Sequence, residues 1–99
     1  MKNIFTISML NIVEIKNAPR TFERKQVTIK GTATSDLSIL SYGLFEVEDR
    51  TGTIAVATRN AVPRIGDKVT ITGTVRQALS WNDKQLVLLV EDSRVTSGN

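Results

Sequence analysis

Two aromatic residues and a few scattered cations are the side chains whose types and settings suit ligand binding. Trp81 lies in the polar stretch "LSWNDK", and Tyr42 follows the stretch "SDLSILS". An aromatic ring in such a setting either stacks on a flat ligand or folds back to cover the core, and the sequence leaves both interpretations open. Isolated surface cations are usually only solvated, but four are candidates for contacts with phosphates: Lys30, Arg59, Arg76 and Lys84.

The composition excludes most catalytic chemistry. The 99 residues include no histidine and no cysteine, so a Ser-His-Asp triad, an imidazole metal ligand and a thiolate site are all impossible. Asp49 and Gly52 lie in a predicted turn without a second ligand cluster, and we interpret Asp49 as a residue that caps this turn. We therefore expect no enzymatic activity, no bound metal and no cofactor.

Positive charge is concentrated in the first third of the chain. Residues 1–34 contain six Lys/Arg against two acidic residues, within an overall net charge of +3. A basic balance of this size weakly favours a polyanionic partner such as nucleic acid.

The amino terminus does not predict export or membrane insertion. A lysine precedes a mostly apolar run, but Thr6, Ser8 and Asn11 interrupt it and no A-x-A cleavage site follows. No run of about 18 apolar residues exists, so we expect no membrane insertion and a cytoplasmic location.

Two segments nearly repeat each other, "VTIKGTAT" at residues 27–34 and "VTITGTVR" at residues 69–76. In both, apolar or small residues alternate with polar ones, as in a half-buried strand. Each carries a glycine at the same place, Gly31 and Gly73, and a glycine inside a strand marks a bend or a close backbone approach. We interpret the echo as two strands that each turn a corner of a small barrel, and not as a duplication.

Three more strands follow from the same patterning. The segments "YGLFEVED" and "TIAVATR" flank the turn Asp49–Gly52 and form a hairpin. The segment "NAVPRIGD" is a second turn, and "SWNDK" at residues 80–84 is predicted to be a loop before the last strand, "QLVLLVED". The nine residues expected to fill the core are Val27, Ile29, Phe45, Val47, Ile54, Val56, Val69, Ile71 and Val75.

The segment "NIVEIKNAP" before the first of these strands is either a short helix or an edge strand. We favour a helix that begins near Asn11 and ends before Pro19, with Ile12 and Ile15 facing inward. Together these elements predict an all-β, five-stranded antiparallel Greek-key barrel with a short N-terminal helix, in one domain over residues 1–99 with an ordered part at about 12–95.

The arrangement F-x-V-x-D-x-x-G-x-I-x-V, followed by G-D-x-V-x-I-x-G, resembles the OB-fold over nearly the whole chain. The OB-fold occurs in single-strand-binding proteins, replication protein A-like proteins and anticodon-binding domains, and the chain resembles in particular small stand-alone bacterial OB-fold proteins with a nucleic-acid-binding role. The helix that often links the third and fourth strands is replaced by "NAVPRIGD", so the N-terminal helix is expected to plug the barrel instead.

This resemblance implies a binding surface on the second and third barrel strands, with Trp81 in the loop between the last two strands. Alternation then points Leu44, Glu46 and Glu48 outward, and the two glutamates would oppose a polyanion. The residues expected to contact nucleic acid are Lys30, Tyr42, Leu44, Arg59, Arg76, Trp81 and Lys84.

Two classes of function remain open. The first is weak, sequence-independent binding of single-stranded DNA or RNA. The second is a protein-interaction or oligosaccharide-binding module, favoured by the acidic second strand and the small number of aromatic residues. Ile39, Leu40 and Leu79 are expected to contact the core, with an exposed protein-binding lip as the alternative.

Overall fold

The computed structural model describes residues 8–38, 43–81 and 84–97. The elements are β1 (Ser8–Met9), α1 (Ile12–Asn17), α2 (Pro19–Phe22), β2 (Gln26–Asp36), β3 (Gly43–Glu48), β4 (Thr53–Thr58), β5 (Lys68–Trp81) and β6 (Lys84–Thr96). Neither helix of the described part is long and apolar enough to cross a membrane.

Strands β2 to β6 close into the predicted five-stranded barrel. β2 pairs with β3, β3 with β4, β6 with β5 and β5 with β2, all antiparallel. The fifth pairing, between β4 and β6, is parallel and covers three residue pairs. It is parallel because the Greek-key path carries the chain across β5 before β6 returns beside β4, which removes every open edge between these strands.

β2 turns a corner at its glycine, and β5 has a register shift in its pairing with β6 between Thr72 and Gly73. β2 pairs with β5 over residues 26–32 and with β3 from Thr32 onward, so it changes partner just after Gly31. A Cβ atom at Gly31 would collide with the carbonyl oxygen of Glu48, and one at Gly73 would lie 2.5 Å from that of Val90. Only glycine permits these approaches, which is the physical basis of the echo.

All nine predicted core residues are at most 2% exposed. The same cluster includes Ile12 and Ile15 from α1, so the preferred N-terminal helix is confirmed and its apolar face enters the barrel core. Leu89 is also fully buried, although it was not in the predicted set.

Asp49 holds α1 onto the barrel as well as capping the β3–β4 turn. Its Oδ1 accepts hydrogen bonds from Thr51 N at 2.7 Å and Gly52 N at 3.1 Å. Its Oδ2 accepts one from Ile12 N, the first residue of α1, at 2.8 Å. Partial burial raises the pKa of Asp49, but the hydrogen bonds from Thr51, Ile12 and Gly52 outweigh it and hold the pKa below its usual value.

An ion pair lies toward the opposite end of the barrel. Arg94 Nε lies 3.0 Å from Glu91 Oε2, although neither carboxylate oxygen of Glu91 receives a well-directed hydrogen bond. The Arg94 guanidinium lies 5.5 Å from the centroid of the Phe45 ring and donates to the carbonyl oxygen of Ala61. The planar guanidinium therefore covers the aromatic ring at the end that α1 does not reach.

The predicted loop at residues 80–84 is wrong. β5 runs through Trp81, β6 begins at Lys84, and these two residues pair with each other. Only residues 82 and 83 separate the two strands in sequence. Pairing between β5 and β6 keeps residues 80, 81 and 84 extended, although their local sequence is polar and predicted a loop.

A second short helix was also missed. Pro19 and Arg20 do not simply follow the end of α1, because α2 begins at Pro19. Proline is favourable at the first position of a helix, where its missing N–H would have no partner. The Phe22 side chain at the end of α2 packs against the core cluster.

Candidate nucleic-acid interface

Part of the outer surface of β3, β4 and β6 is apolar. Leu44 pairs with Ala57, and Ala57 pairs with Val90 on β6. Ala55 pairs with Leu88 in the next row of the sheet. We call this surface the leucine face, and its residues are Leu44, Ala55, Ala57, Leu86, Leu88 and Val90.

The leucine face is open to solvent. Leu86 is 54% exposed and Val90 is 38% exposed. A cleft of about 850 Å³ lies over the face, with Leu44, Ala57 and Leu88 in its walls. A wide apolar cleft on the outside of a barrel contributes nothing to the core, so it is the strongest candidate for a binding site.

Charged groups border this cleft with opposite signs. Arg59, at the end of β4, is exposed and lines the cleft. Asp92 lines it too, but its Oδ2 accepts hydrogen bonds from Gln26 Nε2 at 3.0 Å and Thr74 Oγ1 at 3.2 Å. The outward glutamates lie on β3, where Glu48 is exposed and Glu46 is half-buried.

The structure brings together only part of the predicted site. Leu44 and Arg59 line the same cleft. The exposed Arg76 pairs with Leu88 and therefore borders it. Lys30 instead pairs with Thr70 and lines a separate, more polar cleft of about 930 Å³.

The remaining predicted positions are described only in part or not at all. Trp81 and Lys84 end β5 and begin β6, so their backbones form the last pair of the hairpin. Tyr42, Ile39 and Leu40 lie outside the described residues, and so does the side chain of Leu79.

The outward residues of β6 were missed as parts of the site. The segment "QLVLLVED" contains a run in which both alternating sets are apolar: Val87 and Leu89 point inward, whereas Leu86, Leu88 and Val90 point outward. A strand of a one-layer barrel needs only one apolar set, so the second set indicates an exposed apolar surface. In the described ranges no group of three acidic side chains is arranged to hold a metal ion.

Solved structures share this architecture at low sequence identity. An aspartyl-tRNA synthetase from Entamoeba histolytica matches with a TM-score of 0.75 at 14% identity, over 94% of this chain and 22% of that chain. An OBody bound to hen egg-white lysozyme matches with a TM-score of 0.64 at 16% identity, over 77% of this chain and 84% of that chain. The S. pombe Stn1-Ten1 complex matches with a TM-score of 0.59 at 16% identity, over 75% of this chain and 59% of that chain.

These likenesses show the fold alone. The chain spans about a fifth of the length of the synthetase it resembles. The sequence matches no family model and no curated protein. The barrel order, the parallel β4–β6 pairing and the structural matches together establish that this chain has an OB-fold.

Proposed function

We propose that this OB-fold domain binds single-stranded nucleic acid, weakly and without strong sequence preference, across the leucine face. The observation that carries the proposal is the open apolar cleft over β3, β4 and β6. Arg59 lines this cleft, and Arg76 borders it beside Leu88. Bases present flat apolar surfaces and phosphates present negative charge, so a single strand requires both kinds of group side by side. One structural neighbour is an enzyme named for its tRNA, which agrees with this ligand class.

The predicted residues take different parts in this proposal. Leu44 and Leu88 would contact bases, while Arg59 and Arg76 would contact phosphates. Trp81 would provide a stacking platform at the end of the β5–β6 hairpin, with Lys84 paired beside it. Tyr42 would stack near the start of β3. Lys30 would contact only a strand long enough to leave the cleft, because it lies over a different one.

A titration of fluorescent oligothymidylate at two salt concentrations tests the proposal. We expect saturable binding that weakens steeply as salt rises, because neutralised phosphates release counterions. A protein without affinity at low salt, or with affinity independent of salt, would contradict a nucleic-acid role.

Trp81→Ala tests the stacking role. Removing a stacking platform should weaken binding by about 1 to 3 kcal/mol while leaving the free energy of unfolding nearly unchanged. Indole fluorescence should also be quenched when the oligonucleotide binds. The opposite order of effects, with about 3 kcal/mol lost in stability and little in affinity, would identify Trp81 as a cap over the barrel.

A protein ligand is the second candidate, carried by the exposure of Leu86 and Val90. The glutamates of β3 would be neutral or favourable toward such a partner, and one structural neighbour is an OB-fold bound to a protein, lysozyme. Apolar contact with a protein changes little with salt, so the same two-salt titration separates this candidate from the first.

A further inference from the structure

We infer that the phosphate backbone of a bound single strand follows the β5 side of the barrel, along a strip of four cations from α2 to β5. The strip consists of Arg20 in α2, which contacts β5, Arg24 and Lys25 in the segment before β2, and Arg76 of β5, and we call it the basic strip. This inference rests on the proposed function and deepens it. It places the phosphate backbone of the nucleic acid beside β5, whereas the resemblance implied a binding surface on β3 and β4.

The backbone next to β5 is held firmly where it carries these cations. Arg24 N donates to Val75 O at 2.7 Å, and Val75 N donates to Lys25 O at 3.1 Å. Glu23 forms a further bridge with Val75. The chain preceding β2 therefore extends the sheet beyond the last β2–β5 pair, beside Arg76.

Side chains anchor the same segment immediately before Arg24. Phe22 packs against the core, and Glu23 Oε1 accepts a hydrogen bond from Gln77 Nε2 at 3.1 Å. Arg24 itself has a φ of 68°, an uncommon left-handed conformation for a residue other than glycine. These contacts hold the backbone of this segment in place, so Arg24 and Lys25 project from an ordered segment and not from a free loop.

The cations of the strip are free to meet an external anion. All four are exposed. The one ion pair found within the described part of the chain joins Arg94 to Glu91, which belongs to the other end of β6. Glu23, the acid nearest in sequence, is half-buried and engaged with Gln77.

One row of the outer sheet runs from an acidic residue on β3 to a cation on β5. In this row, Glu46 of β3 pairs with Ala55, Ala55 with Leu88, and Leu88 with Arg76. Lys25 and Arg24 continue past β5 on the far side. A polyanion would avoid the β3 border, where Glu46 and Glu48 lie, and would follow the basic strip, with its bases turned over Leu88 and Val90.

The test compares two double variants of the full chain that remove the same charge. Arg24→Gln with Lys25→Gln neutralises the strip, whereas Arg64→Gln with Lys68→Gln neutralises two exposed cations elsewhere. Each removes two positive charges from a net charge of +3. Fluorescence anisotropy with labelled oligothymidylate, over a range of salt, gives both the affinity and its salt slope.

We expect the strip variant to bind about tenfold more weakly at low salt and to flatten the slope of log K against log salt by about 0.7 for each lost phosphate contact. The Arg64/Lys68 variant should stay within about twofold of the wild type. A third variant, Arg24→Lys with Lys25→Arg, keeps the charges and should restore binding, which excludes a folding defect as the cause.

Equal losses in the two neutralised variants would overturn the inference, because net charge alone would then explain binding, while the proposed function would stand. Wild-type protein that shows no salt-dependent binding would overturn the proposed function itself. A charge-preserving variant as weak as the neutralised one would also contradict the inference.

Discussion

The two sides of this barrel have similar buried apolar residues on the inside but different residues on the outside. Residues 28–34 of β2 and 70–74 of β5 are covered on the outside mainly by threonine, and we call this part the threonine side, whereas β4 and β6 carry alanine, leucine and valine. Thr28 and Thr72 share a hydrogen bond between their hydroxyl oxygens at 2.9 Å, and Thr28 is only 7% exposed. By contrast, Leu86 and Val90 remain open to solvent.

The residues that fold the chain differ from those that are available to bind a ligand. Threonine favours extended backbone and pairs across strands without creating an apolar surface. The outward leucines of β6 add nothing to the core and leave apolar area in water, which favours covering by a ligand. The threonine side therefore has a structural role, and the leucine face is where binding is expected.

The largest effect should come from core truncations, which should not distinguish the two sides. Ile71→Ala on β5 and Leu89→Ala on β6 should each lower the free energy of unfolding by about 2 to 5 kcal/mol, since both side chains are fully buried. Urea unfolding followed by circular dichroism measures this. A loss below about half a kcal/mol at either position would show that the two sides do not share one core.

Asp49→Asn should have the next largest effect, because it weakens the attachment of α1. We expect a loss of about 1 to 3 kcal/mol, the usual contribution of hydrogen bonds to a charged group. Asp49 has a lowered pKa in the folded state. Its stabilisation is therefore present above the unfolded pKa of about 3.9 and is lost as the pH falls through the folded pKa.

The stabilities of the wild type and Asp49→Asn should consequently begin to converge as the pH falls below about 4, and the convergence should be complete only below the folded pKa of Asp49. Urea midpoints measured between pH 3 and pH 7 give the comparison. A gap between the two proteins that stays constant over this range would show that the charge of Asp49 does not fasten the helix.

Exchanging outward residues between the two sides should have a smaller effect, and the quantity that changes should be the affinity for the ligand and not the stability. Leu88→Thr gives the leucine face the covering of the threonine side and should cost about 1 kcal/mol of affinity for oligothymidylate, as part of an apolar contact is lost. The matched change Thr70→Val, on the other side, should leave affinity unchanged. Equal affinities for both variants would contradict a functional difference between the sides.

Removing the β3 glutamates should have the smallest effect and the opposite sign. Glu46→Gln with Glu48→Gln should strengthen binding a few-fold at low salt, and the gain should disappear at high salt as surface charges are screened. Affinity that is unchanged at low salt would show that the strand stays far from β3.

Alternation predicted the inward residues well, because burial imposes a strict two-residue period on a strand. The pairs Phe45/Val47 and Ile54/Val56 are buried as expected, and Gly31 lies where the backbone of β2 passes close to Glu48. These features depend on neighbours that the sequence pattern itself encodes.

Features that depend on distant partners were not visible in the sequence. The bond from Ile12 to Asp49 joins residues 37 positions apart, and its sequence signal is only that of a turn. The extension of β5 through Trp81 depends on its pairing with β6, which overrides the polar local composition. The basic strip likewise depends on the bridge between Glu23 and Val75, which no local pattern announces.

The central claim, that the leucine face and not the threonine side meets the ligand, is tested most directly by an NMR titration. Backbone amide shifts of isotope-labelled protein would be followed while unlabelled oligothymidylate is added at low salt. We expect the shifts to cluster at Leu44, Ala57, Leu88 and Val90 and to extend to Arg76 and Lys25. Shifts centred on Thr70 and Thr32, or no shifts at all, would contradict it.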